Sequence, residues 1–185
     1  MLGGLLWLVA YGLSVPLGRE NGAARAEASA SGLSQAYFAA FTGALLCLGV
    51  SLAGLHVRLW RRRKTSLVGL LLAALTVALA STNAALLTGL LGPPRFEHSH
   101  GGQGVMAACA SAVLLGLASW REPLLPRRVS AAVLATGLLT VVLIFASTLP
   151  FGPVPAYVVD DLPFALAGAA WMALGAAMRA HPGSG

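Results

Sequence analysis

The side chains best able to ligate a metal or move a proton fall in two short stretches. His98 and His100 stand beside Glu97, within residues 95–102. Asp160 and Asp161 immediately precede the last apolar run. Imidazole nitrogens and carboxylate oxygens together suit zinc or another divalent metal. In an up-and-down helical bundle both stretches come to the same face, so His98, His100, Asp160 and Asp161 define one reading, a membrane-embedded, metal-dependent enzyme with an outward-facing site. The plainer readings compete with it. His-x-His is not a specific ligand spacing and suits a solvated loop. Asp160 and Asp161 stand just ahead of Pro163, where acids cap free N–H groups and complement the helix dipole. No cofactor is expected on this basis, and the divalent metal is the alternative.

Elsewhere the chemistry is sparse. His56 lies near the end of the second apolar run, and no other run offers a histidine at similar depth to complete a haem ligand pair. A hydrogen-bonded interior or interfacial histidine is expected. Asn83, beside Ser81 and Thr82, is the one strongly polar side chain well inside a run. Such a residue marks either a ligand path or an interhelical hydrogen bond. No acid or lysine lies deep in a run, which argues against a proton relay, and no GxSxG nucleophile motif occurs. Cys47 and Cys109 lack metal-ligand spacing and fall at different expected depths, so two packed small hydrophobes are expected rather than a disulfide.

The elements that must position these residues follow from composition. Of 185 residues, 57% are hydrophobic and 10% charged, too few charges to coat a soluble domain, where roughly 25% is usual. Apolar runs at residues 2–17, 36–59, 67–91, 103–120, 129–149 and 162–178 predict an all-α fold. It is a single-domain integral membrane bundle of six transmembrane helices, since backbone groups in lipid must pair internally. The first run reaches only about 24 Å, short of the ~30 Å hydrocarbon core. A cleaved signal peptide is the rival reading, but Ala28-Ser29-Ala30 lies far downstream and no basic segment precedes the run. Small residues at four-residue spacing, Ala39, Gly43, Cys47 and Ser51, and again Ala108, Ala112 and Gly116, predict faces of close helix approach.

The net charge of +6 could suggest nucleic-acid binding, but the basic residues sit in short loops between apolar runs and read as topology signal. With the N-terminus inside, Arg58, Arg61, Arg62, Arg63, Lys64, Arg121, Arg127, Arg128 and Arg179 fall on the cytoplasmic side. Arg19, Arg25 and Arg95 fall outside. The asymmetry predicts an N-in, C-in, multi-pass protein of the plasma membrane with cytoplasmic basic loops. Arg61, Arg62, Arg63 and Lys64 are also candidates for contact with anionic lipid headgroups. Trp60 suits an interfacial anchor, and no internal repeat of the transporter kind is evident.

The layout resembles a bacterial family of six-helix membrane proteins known as domain of unknown function 998. The resemblance rests on a short first span, Ser31-Gly32-Leu33 closing the first outer loop, and Gly92-Pro93-Pro94 after the third span. It rests also on His98-Ser99-His100-Gly101 opening the fourth span and Trp171 in the sixth. The chain departs from the family at Gln103, where a further histidine is usual, and at Asp160-Asp161, in place of a Glu-Arg-like pair. The resemblance implies the six-helix fold and brings no established activity. A non-enzymatic membrane protein is therefore expected, binding or moving a small or lipophilic ligand, or serving as an accessory subunit. Its expected partners are the bilayer and a membrane protein or a second copy of the chain, not nucleic acid.

Overall fold

Each long apolar run forms a helix. The computed structural model describes residues 1–17, 32–60, 66–90, 101–121, 125–147 and 162–180. Among the described residues there are six α-helices and no strand. They are α1 Leu2–Leu17, α2 Gly32–Trp60, α3 Ser66–Leu87, α4 Gly101–Arg121, α5 Arg127–Ser147 and α6 Leu162–Ala180. Three of them, α2, α3 and α4, are long and apolar enough to cross a membrane, which suggests a membrane protein. Helix α2 begins at Gly32, ahead of the apolar run that starts at residue 36, and its 29 residues extend about 43 Å.

Helix α3 stops at Leu87 although the apolar run continues to residue 91, and the reason is local. Gly89 takes φ 75°, in the left-handed region. Its amide donates to the Leu86 carbonyl at 3.3 Å, and the Leu90 amide to the Ala85 carbonyl at 2.9 Å. This is the Schellman arrangement, in which a glycine just past the end lets the chain turn back onto the last free carbonyls.

Each helix packs on its sequence neighbour, α6 returns to α1, and α2 also touches α4 across the ring. Close approaches fix the directions. Gly3 lies against Cys47 while Leu6 meets Gly43, so α1 and α2 are antiparallel. Gly49 meets Thr76, and farther along α2 His56 meets Gly69, which runs α3 against α2. Gly116 meets Leu134 and Gly137 meets Cys109 and Val113, so α5 opposes α4. Gly4 meets Gly168, and Met1 meets Gly175. One end of the bundle therefore gathers Trp60, Ser66, Arg127 and Ala180, with Met1 set back from it. Arg58, Arg127, Arg128 and Arg179 are all exposed at or near that end.

Helices α3 and α5 turn large apolar side chains outward. The buried positions of α3 are Ser66, Gly69, Ala73, Thr76, Ala80 and Asn83, alternating three and four residues apart. Leu67, Val68, Leu71 and Leu75 on the same helix are exposed. On α5, Leu138, Leu139, Val142 and Phe145 are exposed while Ser130, Val133 and Thr140 are buried. Small residues inside let helix backbones approach closely, and large apolar residues outside suit hydrocarbon surroundings. Hydroxyls behave accordingly. Thr76 donates to Leu72 at 2.9 Å, Thr82 to Ala78 at 3.0 Å and Thr140 to Thr136 at 2.8 Å, each to a backbone carbonyl of its own helix. Each polar proton is thereby satisfied without water.

The two expected small-residue faces fare differently. Ala108, Ala112 and Gly116 are all buried, Gly116 at the α4–α5 approach. On α2 Gly43 and Cys47 are covered by α1, while Ala39 and Ser51 are exposed, Ser51 because α1 begins level with Cys47. Both cysteines are free, Cys47 half-buried and Cys109 buried.

Candidate functional site

Two features stand out, a buried polar node and an open groove, on opposite faces of α2. The node is centred on His56, whose side chain has no exposed surface. Its Nε2 lies 3.1 Å from the Ser111 carbonyl oxygen. A carbonyl only accepts, so Nε2 carries the proton and donates. Nδ1 is then the acceptor, and the Ser66 hydroxyl lies 2.7 Å from it. The same hydroxyl is 3.2 Å from the His56 carbonyl oxygen. The Ser111 hydroxyl donates to the Gly69 carbonyl at 2.9 Å. One imidazole and two hydroxyls thus tie α2, α3 and α4 together at the basic end of the bundle. Gly69 makes room for the ring: a β-carbon there would collide with the imidazole, falling 2.7 Å from Nδ1.

A serine hydroxyl held against an imidazole base has the make-up of an activated nucleophile. Here the pair is sealed. His56 is 0% and Ser66 2% exposed, so no substrate reaches the hydroxyl, and the node acts as a clamp between helices. The hydrogen-bonded interior histidine expected from the sequence is what the structure contains.

The groove arises from a length mismatch. Helix α1 starts level with Cys47 of α2 and Gly175 of α6, so α2 from Ser51 onward runs past it uncovered. The result is an open cavity of about 390 Å³, within the roughly 300–1,000 Å³ of small-molecule sites. Leu48, Leu55, Trp171 and Leu174 contribute apolar wall, and Gly54 opens the floor, with no atom within 4 Å of where its β-carbon would stand. Ser51 directs its hydroxyl back to the Cys47 carbonyl at 2.7 Å. Arg58 is the only charged side chain in the lining among the described residues and is exposed. All six acidic residues of the chain lie outside the described segments.

The residues singled out in the sequence are distributed as follows. Asn83 is buried on the inner seam of α3, at the end away from His56, and is not part of the groove. His98, His100, Asp160 and Asp161 lie outside the described residues, as do Arg61, Arg62, Arg63 and Lys64. Among the described residues no three His, Cys, Asp or Glu side chains gather as a metal site would require. The partners of His56 were not foreseen from the sequence. The signal for them was the alternating three-and-four spacing of small and polar residues from Ser66 to Asn83. The groove had no sequence signal, since it depends on where α1 sits along α2. No known protein family, curated protein or solved structure matches this chain.

Proposed function

We propose that the chain is a non-enzymatic integral membrane protein that binds a small lipophilic ligand in the groove between α1, α2 and α6. The observation that carries this reading is the groove itself: an apolar cleft of about 390 Å³ on the outer surface of a bundle whose own exterior is leucine and valine. A ligand dissolved in the bilayer would reach it sideways without crossing water. The sealed state of the His56–Ser66 pair supports a binding role over a catalytic one.

In the same reading all six helices span the bilayer, with both termini and the basic loops in the cytoplasm and the plasma membrane as host. The nine-to-three division of lysine and arginine supports that orientation. The exposed Trp60 and Trp120, at the ends of α2 and α4, suit an aromatic belt at the cytoplasmic interface. Arg61, Arg62, Arg63 and Lys64 would add attraction to anionic headgroups of about 1 kcal/mol each. The likeness to the domain of unknown function 998 family belongs to this proposal and adds no activity to it.

Native mass spectrometry of the protein purified in mild detergent tests the binding role. A reproducible bound lipophilic mass, displaced by Gly54→Leu, is the expected result. A chain that retains no lipophile under conditions that preserve its fold would refute it. Reporter fusions after residues 64 and 100 test the orientation, the first expected inside and the second outside.

A further inference from the structure

We infer that the groove ligand is an anionic phospholipid of the surrounding bilayer, held with its phosphate at Arg58 and an acyl chain along the apolar floor toward Cys47. This rests on the proposed groove function and deepens it. The argument is one of complementarity. Among the described residues the lining carries one charged side chain, the exposed guanidinium of Arg58, in a largely apolar cleft. A ligand with one anionic head and an apolar tail matches that arrangement, and a neutral lipophile leaves the guanidinium unused.

The depth agrees. Arg58 stands two residues before the exposed Trp60, so a tryptophan at the headgroup level sets the guanidinium there too. From Arg58 to Cys47 the floor of α2 descends about 16 Å, into the region where acyl chains lie. Guanidinium is well suited to phosphate because its planar donors form paired charge-assisted hydrogen bonds. The floor is open at Gly54, where a β-carbon would meet nothing within 4 Å. Val50 and Leu55 flank it.

The test uses the full chain equilibrated with mixed vesicles of phosphatidylcholine and phosphatidylglycerol, extracted in mild detergent and examined by native mass spectrometry. One phosphatidylglycerol per chain is expected to remain. Arg58→Gln should weaken its retention about tenfold, the scale of a lost charged hydrogen bond. Arg179→Gln removes an exposed charge in the last turn of α6, outside the groove lining, and should leave retention unchanged. Gly54→Leu fills the floor and should abolish retention of either lipid while preserving the unfolding midpoint, because nothing lies within 4 Å of where its β-carbon goes. Equal loss in Arg58→Gln and Arg179→Gln would overturn the inference, since the basic end would then be acting as a diffuse field. Equal retention of phosphatidylcholine would overturn it while leaving a neutral-lipophile groove intact. Retention of neither lipid would overturn both readings.

Discussion

Gly69→Ala isolates the clamp, because two effects of opposite sign compete there. In an exposed helix interior the change gains about 1 kcal/mol of helix propensity. At Gly69 the new methyl instead enters the space of the His56 ring, whose Nδ1 would be 2.7 Å from it. A side-chain tip that near would ordinarily swing away at little cost. This one is held from both sides, by Ser66 at 2.7 Å and by the Ser111 carbonyl at 3.1 Å. Overpacking a closed interior costs about 1–3 kcal/mol, and each interhelical hydrogen bond surrendered adds about 0.6 kcal/mol, up to ~1.7. The sum exceeds the propensity gain, and a net loss of about 1–3 kcal/mol is expected. Unfolding by titration of a denaturing detergent into mild-detergent micelles, followed by far-UV circular dichroism, measures it. Gly54→Ala, where the methyl meets nothing, is the control and should be neutral or stabilising. His56→Ala alone should destabilise, since it leaves a void and orphans the partners. The double variant should be less destabilised than the sum of the two, because the added methyl no longer meets a ring, with a coupling of about 1 kcal/mol or more. Strict additivity, or a Gly69→Ala protein as stable as the original, would refute the clamp.

Two further outcomes follow from the same packing. Ser111→Ala removes the hydroxyl that reaches Gly69 and should cost about 0.6–1.7 kcal/mol. Ser119→Ala removes a buried hydroxyl with no hydrogen-bond partner among the described residues and should be neutral or stabilising, both read in the same detergent titration. Gly116→Ala should lower stability by about 1–3 kcal/mol, because its β-carbon would fall 2.9 Å from the backbone nitrogen of Leu134 and α4 would have to move away from α5. Disulfide crosslinking between cysteines introduced along these two helices reports that displacement directly.

Six helices were legible in the sequence because long apolar runs separated by charged or proline-rich stretches leave little else for the backbone to do. Ends were less legible where a turn competed with hydrophobicity. Gly89 looks like one more small residue in an apolar run, and only the reversal at Leu90 shows that it ends the helix. The interior character of His56 was legible from its isolation in an apolar segment. Its partners were not, since Ser66 and Ser111 are distant in sequence and meet it only through the α2–α3–α4 packing. The groove was the least legible feature. Arg58 looks like part of the basic hinge, and it becomes a groove residue only because α1 covers α2 no farther than Cys47.

The most direct measurement for the account as a whole is a nitroxide scan along α3 of the protein reconstituted in bilayers, read as collision rates with dissolved oxygen and with a water-soluble nickel complex. Labels at Val68, Leu71 and Leu75, which are exposed, should meet oxygen freely and the nickel complex rarely. Labels at Ala73, Thr76 and Ala80, which are fully enclosed, should meet neither. Ready access of the nickel complex to Leu71 and Leu75, or protection of those leucines alongside exposure of Ala73 and Ala80, would contradict the proposed membrane placement of α3.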